Sequence, residues 1–504
     1  MKTIAIKLLA LLLVFAMVIP FAACADTGEG EVTTGAQTSG ENLADVPEEF
    51  RHNLPKLNYE NEKVTILHAK GSGRNDELKV EGDFSSNQVS SAVNERNLAV
   101  EQQLGVKLNV VENESAQATA ETLKTSVNAS DDTYQIVMNA TFVSVEPAIN
   151  GVYKDLSVVE NLNRSKHYWT QGYNEMMTMG QQNKQFLVTG PVSISMFRYM
   201  FLTLFNITEF GTHNIDVDGF YQDVKDGKWT IEYQKSLITK GGGAYRDNGD
   251  GDRDDKDFYG FVTGGVISVD PYTVAAGIEM IVKDQNTNAL SFNGDAVEPV
   301  TKLCEAVADL YKNPNTFYYT DAKMDDIGLY GATEIFANSR AMMATTCFDG
   351  METHLGKLKE IQYGIVPMPK YAENAEYQTY VQDQLSSLGI ARSITGKNEL
   401  SMLGAVLESL AFHSNKIVRP AYYENTLGKR VVDDPDSKEM LELMYDTMTF
   451  DFSSTCSNML ADVVIRDQLR PMLSTNDKVT ATIDTWRSKV TNLLTTINTS
   501  MNAV

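Results

Sequence analysis

The chain has 504 residues and a formal net charge of −24 at pH 7. This charge argues against a nucleic acid or an anionic lipid surface as the partner. About 450 residues follow the N-terminal segment described next, more than one hydrophobic core usually supports, so we predict two or three domains in a monomer.

The N-terminus has the features of an export signal. Lys2 and Lys7 accompany an apolar run from Leu8 to Phe21, which is shorter than the roughly 20 residues of a membrane span. Small residues then lead into Cys24, as in bacterial lipoprotein signals, where the cysteine thiol receives a diacylglycerol. We predict a signal peptide over residues 1–24, lipidation of Cys24, and attachment to the extracellular face of the cell membrane. An ordinary secretory peptide or an anchoring helix is the alternative.

Residues 25–58 are predicted to form a flexible tether. They are rich in Gly, Thr, Glu and Ala and contain few large apolar side chains. Such a segment buries too little surface to offset the entropy lost on ordering.

Strands and helices alternate after the tether. "KVTILHAKGSG" indicates a strand, and a helix follows in which Val93, Val100 and Leu104 share one face, with Gly105 as its stop signal. "VKLNVV", "ESAQATAETLKTSVNA" and "YQIVMNATF" continue the alternation. This pattern predicts a lobe with a mostly parallel sheet. Later, "MFLTLFN", "FYGFVTGGVISV", "AMMATTCF" and "YGIVPM" indicate further strands, and helices dominate from about Asn398.

An acidic loop, "RDNGDGDRDDKDFYG", begins at Arg246. Against the pattern of an EF-hand loop, Asn248, Asp250, Asp254 and Asp257 supply side-chain oxygens and Asp252 supplies its carbonyl. Arg246 stands where the pattern needs a carboxylate, and Asp257 replaces the usual Glu. We predict a structural Ca²⁺ site and no catalytic cofactor; a solvated acidic turn is the alternative.

Several motifs, taken in order, resemble one large family. They are "AVNERNLAVEQQLGVKL", "YQIVMNATFVSVEPAINGVYKDL", "DVKDGKWTIEYQKSL", "NGDGDRDDKDFYGFV", "YGIVPMPKYAENAEY", "AVLESLAFHSNKIVRPAYYENTLGKR" and "MYDTMTFDFSS". Together with the leader, they resemble the family 1 extracellular solute-binding lipoproteins of ABC importers, which include maltodextrin binders, and the clostridial branch most closely. The acidic loops of such proteins are surface clips away from the ligand.

The resemblance implies an α/β fold with two lobes, the type II periplasmic-binding-protein clamp, and a ligand cleft between them. We place residues 59–195 and 385–430 in the N-lobe, and residues 196–384 and 431–504 in the C-lobe. Hinge closure buries a solute that contacts both lobes.

Candidate solute contacts follow from the family positions. A sugar needs flat apolar faces for its C–H side, and carboxylates and amides for its hydroxyls. The residues that match are Asn139, Phe142, Tyr199, Asp270, Tyr272 and Phe348. For each, an ordinary packing or capping role is the alternative. Trp229, which precedes the predicted helix N-cap Thr230, is predicted to pack in the core. Trp486 is also predicted to be a core residue, because it shares a helical stripe with Val479, Ile483 and Val490. Trp169 is a candidate for the cleft.

These observations predict a binding protein rather than an enzyme. It captures a solute, an oligosaccharide by family analogy, and delivers it to the permease subunits of an ABC importer. An exported carbohydrate-active enzyme and a calcium-dependent adhesion lipoprotein are the alternatives. The six histidines lack ligand spacing, and no serine elbow, zinc helix or phosphate loop is visible. A peptide or another polar solute stays open.

Overall fold

The computed structural model describes residues 51–503, except residues 72, 81–87, 241–242, 266–267, 321–322, 433, 461–464 and 476–477. Of residues 324, 325 and 427–432 only the backbone is described. The predicted signal peptide, Cys24 and the tether up to residue 50 lie outside the described residues.

The described residues form fifteen strands and twenty α-helices. Strands β1 to β15 span Glu62–Ala69, Val106–Asn113, Ile136–Ala140, Thr178–Met179, Lys184–Gln185, Phe201–Asn206, Tyr259–Gly264, Ile281–Lys283, Leu290–Phe292, Thr316–Tyr319, Ala341–Cys347, Tyr363–Val366, Thr379–Tyr380, Ser386–Ile390 and Met448–Thr449. The helices span Gln88–Leu104, Ala116–Asn128, Thr141–Ile149, Gln171–Met176, Ile194–Arg198, Ile207–Thr212, Val217–Lys225, Ile231–Thr239, Asp270–Ala275, Val297–Lys312, Met324–Ile327, Gly331–Ala337, Phe348–Thr353, Leu355–Leu358, Lys397–His413, Arg419–Val432, Pro435–Asp446, Phe452–Thr455, Ile465–Thr475 and Val479–Ala503.

Two separate sheets organise the chain, as the α/β prediction requires. The first has the strand order β14-β3-β1-β2, with β1, β2 and β3 parallel and β14 antiparallel to β3. The second has the order β10-β7-β11-β6-β12, with β10, β7 and β11 parallel and β6 antiparallel to β11 and β12. The buried strands are apolar because helices cover both faces of such sheets.

The chain passes between the two sheets three times. The first crossing, residues 199–200, follows the helix Ile194–Arg198 and leads into β6, and the second, residues 381–385, leads back into β14. The third is the helix Arg419–Val432. It follows the helix Lys397–His413, which packs on Gln88–Leu104 of the first lobe, and it precedes Pro435–Asp446, which packs on β12 of the second. The lobe boundaries that we predict stay a prediction.

Local signals placed several elements correctly. The helix Gln88–Leu104 ends at Gly105, whose φ of 62° suits glycine. Thr230 caps the helix Ile231–Thr239, because its side chain accepts a hydrogen bond from the Tyr233 amide. Within the described ranges, no helix is both long and apolar enough to cross a membrane.

The three tryptophans are all buried. Trp229 donates a hydrogen bond to the Pro367 carbonyl at 2.8 Å, and Trp486 lies on the apolar face of the helix Val479–Ala503, so both core predictions are confirmed. The expectation for Trp169 is wrong. Its ring is 1% exposed and its indole N–H donates to Glu408 at 3.1 Å, which holds it in the first lobe.

Candidate functional site: the facing edges of two sheets

The ligand edge of each sheet is where its parallel strands end. In the first lobe β1, β2 and β3 end at Ala69, Asn113 and Ala140. In the second lobe β7, β10 and β11 end at residues 264, 319 and 347. Loops and helix starts at such carboxyl edges are the usual place for a ligand in α/β folds.

Both edges adjoin the crossings. At the first-lobe edge, Phe142 donates its amide to the Asp383 carbonyl of the second crossing at 3.1 Å. At the second-lobe edge, Phe348 donates its amide to the Met200 carbonyl of the first crossing at 3.3 Å. The two edges therefore meet at the hinge, which is the arrangement that a solute cleft needs.

One arginine spans the two edges. Arg198 donates through Nη1 to the carbonyls of Gly73 and Asn75 in the loop after β1, at 2.9 and 3.1 Å. Its Nε lies 3.1 Å from Oε2 of Glu352, in the helix after β11. Glu352 also accepts a hydrogen bond from the Tyr422 hydroxyl on the third crossing. Arg198 and Glu352 therefore connect the two lobes, beside the first crossing and in contact with the third.

Tyr199 lies on the first crossing at the junction of the two edges. A Cβ on Gly73 would come 2.7 Å from the Tyr199 hydroxyl, so only glycine allows this approach, at a φ of 70°. Burial, with the nearby Asp349 carboxylate, raises the pKa of Tyr199 well above its usual range. Asp349 itself accepts a hydrogen bond from the Tyr330 hydroxyl at 2.5 Å.

The two candidates of the first lobe lie at its edge in different roles. Asn139 is fully buried, and its side chain donates to the Ala116 carbonyl at 3.0 Å and accepts from the Ala140 amide at 2.8 Å. It therefore fixes the end of β3 to the start of the preceding helix, Ala116–Asn128. Phe142 is partly buried and packs against the cluster of Ala69, Ala116 and Ala140.

The Asp270 carboxylate is already engaged. Arg470 donates to both of its oxygens at 2.7 Å, and the Arg466 Nε lies 3.8 Å from Oδ2. Arg466 also donates to Asp383 of the second crossing at 2.8 Å. Asp270 is thus connected to the hinge through arginines of the helix Ile465–Thr475.

The remaining two candidates are fully buried aromatic side chains. Tyr272 packs edge-on against Tyr311 in the second lobe, with ring centroids 6.1 Å apart. Phe348 packs edge-on against Tyr422 at 6.5 Å, beside the third crossing. The structure therefore brings Tyr199 and Phe348 together at the hinge and leaves Tyr272 in the core, and the solute role of all six candidates stays a prediction.

Sequence reasoning missed Arg198, Tyr330, Asp349 and Glu352. Asp349 and Glu352 follow β11 within the motif "TTCFDGME", directly after a buried strand. The rule that ligands gather at the carboxyl ends of parallel strands singles out this position. Arg198 carries no comparable local signal, because its partners lie 123 or more residues away.

The acidic loop is fastened to the second lobe by arginines. Arg246 pairs with both oxygens of Glu209 at 3.0 Å, and Arg253 donates to the Pro314 carbonyl at 2.6 Å. Asp257 is fully buried and accepts hydrogen bonds from the Asn248 amide and the Tyr245 hydroxyl. The loop is a surface clip away from both ligand edges, as expected.

The candidate calcium ligands already take part in other interactions. Asn248, Asp250, Asp252 and Asp254 lie within one turn, where Asn248 and Asp250 accept hydrogen bonds from backbone amides of the loop. Lys256 pairs with Asp254 at 3.0 Å, so an ion has to displace it. Among the described side chains no group of three or more His, Cys, Asp and Glu is arranged to hold a metal ion. Calcium stays a prediction.

Two surface cavities lie elsewhere. One of about 490 Å³ is lined by Arg253 and residues 311–314 and 316–318, and one of about 400 Å³ is lined by residues of the segments 162–165 and 171–185. Neither contains any of the six candidate residues. They do not mark the solute site.

Known structures share this fold. The cyclic α-maltosyl-1,6-maltose binding protein from Arthrobacter globiformis aligns with a TM-score of 0.54 at 13% identity, covering 86% of this chain and 100% of that one. An ABC substrate-binding protein from Listeria monocytogenes in complex with cycloalternan aligns with a TM-score of 0.50 at 15% identity, covering 88% and 99%. This chain shares the fold of these two binding proteins.

The fold that this chain shares with these neighbours confirms the predicted α/β clamp with two lobes. A cyclo/maltodextrin-binding protein complexed with maltotetraose also aligns, with a TM-score of 0.50 at 10% identity over 87% of this chain and 97% of that one. All three neighbours are described as binding proteins, the class that we predict for this chain. No family model matches the sequence, and no curated protein matches it. The clostridial branch stays a prediction.

Proposed function

We propose that this protein is a lipid-anchored, extracellular solute-binding protein that captures an oligosaccharide by hinge closure and delivers it to an ABC-importer permease. The observation that carries the proposal is the meeting of two carboxyl edges at three crossings, bridged by Arg198 and Glu352. A solute between such edges contacts both lobes, and its binding energy favours the closed arrangement.

The residues at these edges suit a polyhydroxylated solute. The Asp349 carboxylate, and the lone pairs of the Tyr330 hydroxyl that donates to it, offer acceptors for sugar hydroxyls at the second-lobe edge. Because all three tryptophans are buried, stacking on a sugar ring falls to Phe142 and Tyr330, which are partly exposed. Three structural neighbours are described with a cyclic or linear glucose oligomer, which supports this class of solute.

The solute class is tested by thermal melting of the purified protein against two panels. The first panel contains cycloalternan, cyclic maltosyl-maltose and maltotetraose, and the second contains di- to tetrapeptides. A ligand at about 100 times its dissociation constant adds roughly 2.7 kcal/mol to stability, which gives a clear upward shift. Shifts with sugars alone support the proposal. Shifts with peptides alone, or a sugar recovered in cleaved form, contradict it.

The membrane attachment is supported by the leader "LLLVFAMVIPFAAC", which ends at Cys24. A single acylated cysteine carrying a diacylglycerol holds an exported protein near its permease without a spanning helix. We expect Cys24→Ser to release the protein from the membrane fraction into the medium. Cys304→Ser is the matched control, because Cys304 is buried in a helix and takes no lipid, so this variant stays membrane-bound. Release of both variants, or of neither, contradicts the anchor.

The acidic loop is proposed to bind a structural Ca²⁺ ion. Its support is the spacing of Asn248, Asp250, Asp254 and Asp257, together with the exposure of Asn248 and Asp250 and the partial exposure of Asp254. The ion would stiffen the clip that joins β7 to the rest of the second lobe. It has no role at the solute edges, from which the loop is remote in the sheet topology.

A further inference from the structure

Glu77 is a fully buried carboxylate in the loop that follows β1. Its Oε1 accepts hydrogen bonds from the amide and the hydroxyl of Ser195, both at 2.7 Å, and its Oε2 accepts one from the Ser386 hydroxyl at 2.6 Å. Three short hydrogen bonds from neutral donors therefore hold one charged group at a single place.

The partners of Glu77 flank two crossings. Ser195 lies in the helix Ile194–Arg198, which ends directly before the first crossing, and Ser386 is the first residue of β14, directly after the second. The Ser386 amide also donates to the Ser195 hydroxyl at 2.8 Å. Glu77 thus fastens the loop after β1 to the point where both crossings leave the first lobe.

Burial disfavours the charged carboxylate, but the hydrogen bonds of His68, Ser386 and Ser195 and the charge of His68 outweigh it and hold the pKa of Glu77 below its usual value. His68 Nε2 lies 3.4 Å from Oε2 of Glu77, and the His68 Nδ1 lies 3.5 Å from Glu112. The buried Arg96 guanidinium donates to the Glu77 carbonyl at 2.8 Å. The hydrogen bonds that hold the buried carboxylate also fix the position of the loop after β1.

The same loop is held from its other side by the hinge. Arg198 donates to the carbonyls of Gly73 and Asn75, and Gly73 abuts the hydroxyl of Tyr199. Asn75 is exposed and Asp76 partly exposed, at the carboxyl edge of the first sheet. The exposed tip of the loop is therefore held on both sides by residues that lie beside the crossings.

We infer that Glu77 is a positioning residue of the solute site, which couples the hinge to the loop 73–76 so that this loop reaches the solute only in the closed arrangement. The inference rests on the proposed function. Ser195 and Ser386 lie beside the two crossings, and both donate hydrogen bonds to Glu77. Through these bonds the position of the loop depends on the position of the crossings. Glu77 itself is buried and does not touch the solute.

The chain offers a matched control for Glu77. Glu408 is also a buried glutamate of the first lobe, 1% exposed, and it too accepts three hydrogen bonds: from the Tyr168 hydroxyl at 2.5 Å, the Asn163 amide at 3.0 Å and the Trp169 indole at 3.1 Å. None of these three partners belongs to a crossing. Glu77→Gln and Glu408→Gln therefore make the same chemical change at two buried carboxylates of the first lobe. Glu77 differs in that its partners flank two crossings and in that it also lies beside His68.

Two readouts are measured on both variants of the full-length protein. The first is hydrogen exchange without solute, where we expect amides of residues 73–77 and Ser195 to exchange at least about tenfold faster in Glu77→Gln than in Glu408→Gln, because tenfold corresponds to one lost charge-assisted hydrogen bond. The second is the dissociation constant of the sugar that raises the melting temperature most in the panel above. We expect about tenfold weaker binding for Glu77→Gln and no change for Glu408→Gln.

Ser386→Ala is a milder variant that keeps the inference testable if Glu77→Gln does not fold. It removes one hydrogen bond and leaves the charge in place, and we expect the same two effects with smaller size. Equal exchange in the two glutamine variants overturns the inference. Faster exchange without weaker sugar binding also overturns it, because the loop then does not serve the site. If no sugar binds even the wild type, the proposed function fails while the exchange readout still decides whether Glu77 positions the loop.

Discussion

The Arg198 guanidinium lies between the loop after β1 and Glu352 of the second lobe. Its Nε is 3.1 Å from Oε2 of Glu352, and its side chain is 13% exposed. Coulomb attraction at this separation is strong only where water is partly excluded, as it is here. The pair therefore joins the two lobes at the hinge end of the cleft, where a small change in separation accompanies a large change at the cleft mouth.

Removal of this pair is expected to weaken the whole molecule. Arg198→Met leaves Glu352 with only its neutral donors, and we expect a loss of about 2 kcal/mol in the free energy of unfolding. Glu352→Gln is expected to lose a similar amount. In a double-mutant cycle by urea unfolding, the two changes together should lose at least about 1 kcal/mol less than their sum. Additive losses would show that the two residues act independently.

The elements that sequence reasoning placed correctly depend on local signals. The apolar stripe of Val479, Ile483, Trp486 and Val490 predicted the last helix, and all four side chains are buried in it. Gly105 and Thr230 marked a helix end and a helix start by backbone chemistry that needs no distant partner. Local periodicity and capping are visible within one window of the sequence.

The polar interior could not be predicted in the same way. Trp169 donates a hydrogen bond to Glu408, which is 239 residues away in the sequence, and Asp270 accepts one from Arg470, which is 200 residues away. With 67 acidic and 43 basic residues in the chain, no local rule selects these pairs. A family position placed Asp270 at the second-lobe edge, but only the fold shows that both of its oxygens are engaged.

We expect Asp270 to contribute to the stability of the fold rather than to solute binding. Its side chain is 1% exposed, and Asp270→Asn leaves Arg470 without a buried partner, so we expect a loss of about 3 kcal/mol in the free energy of unfolding. The matched control is Asp467→Asn in the same network, where the carboxylate is 46% exposed and pairs with Arg470 at 2.8 Å. We expect it to lose less than about 1 kcal/mol.

Sugar binding by Asp270→Asn is measured under conditions where the variant stays folded. We expect an unchanged dissociation constant. Normal urea stability together with lost sugar binding would instead make Asp270 a direct solute contact, as its family position predicts.

Calcium binding is tested through the stability of the second lobe. We expect Ca²⁺ to raise the melting temperature of the wild type and a chelator to lower it, because an ion that binds only the folded loop shifts the unfolding equilibrium. Asp250→Ala should abolish this response. Asp284→Ala is the control, since Asp284 also accepts backbone amides of a tight turn but lies outside the acidic loop. Identical melting with Ca²⁺ and with chelator would contradict the site.

The raised pKa of His68 is expected to make the free energy of unfolding depend on pH. Burial alone would lower the pKa of His68, but the hydrogen bonds and charges of Glu112 and Glu77 outweigh it and raise the pKa above its usual value of 6.5. A raised pKa in the folded state gives stability that is fully present below pH 6.5 and is lost as the pH rises through the folded value. Each unit of elevation corresponds to about 1.4 kcal/mol.

His413 provides a control of opposite sign within the same lobe. Burial, with the charges of His52 and Arg96, lowers the pKa of His413 to about 4. Its contribution to stability therefore falls as the pH drops from 6.5 towards 4, because the unfolded state binds the proton first. Urea unfolding is measured between pH 4.5 and 8.5 for the wild type, His68→Gln and His413→Gln. The advantage of the wild type over His68→Gln should shrink as the pH rises above 6.5, whereas its advantage over His413→Gln should shrink as the pH falls below 6.5. A constant advantage over His68→Gln across this range would mean that His68 stays neutral between its two carboxylates.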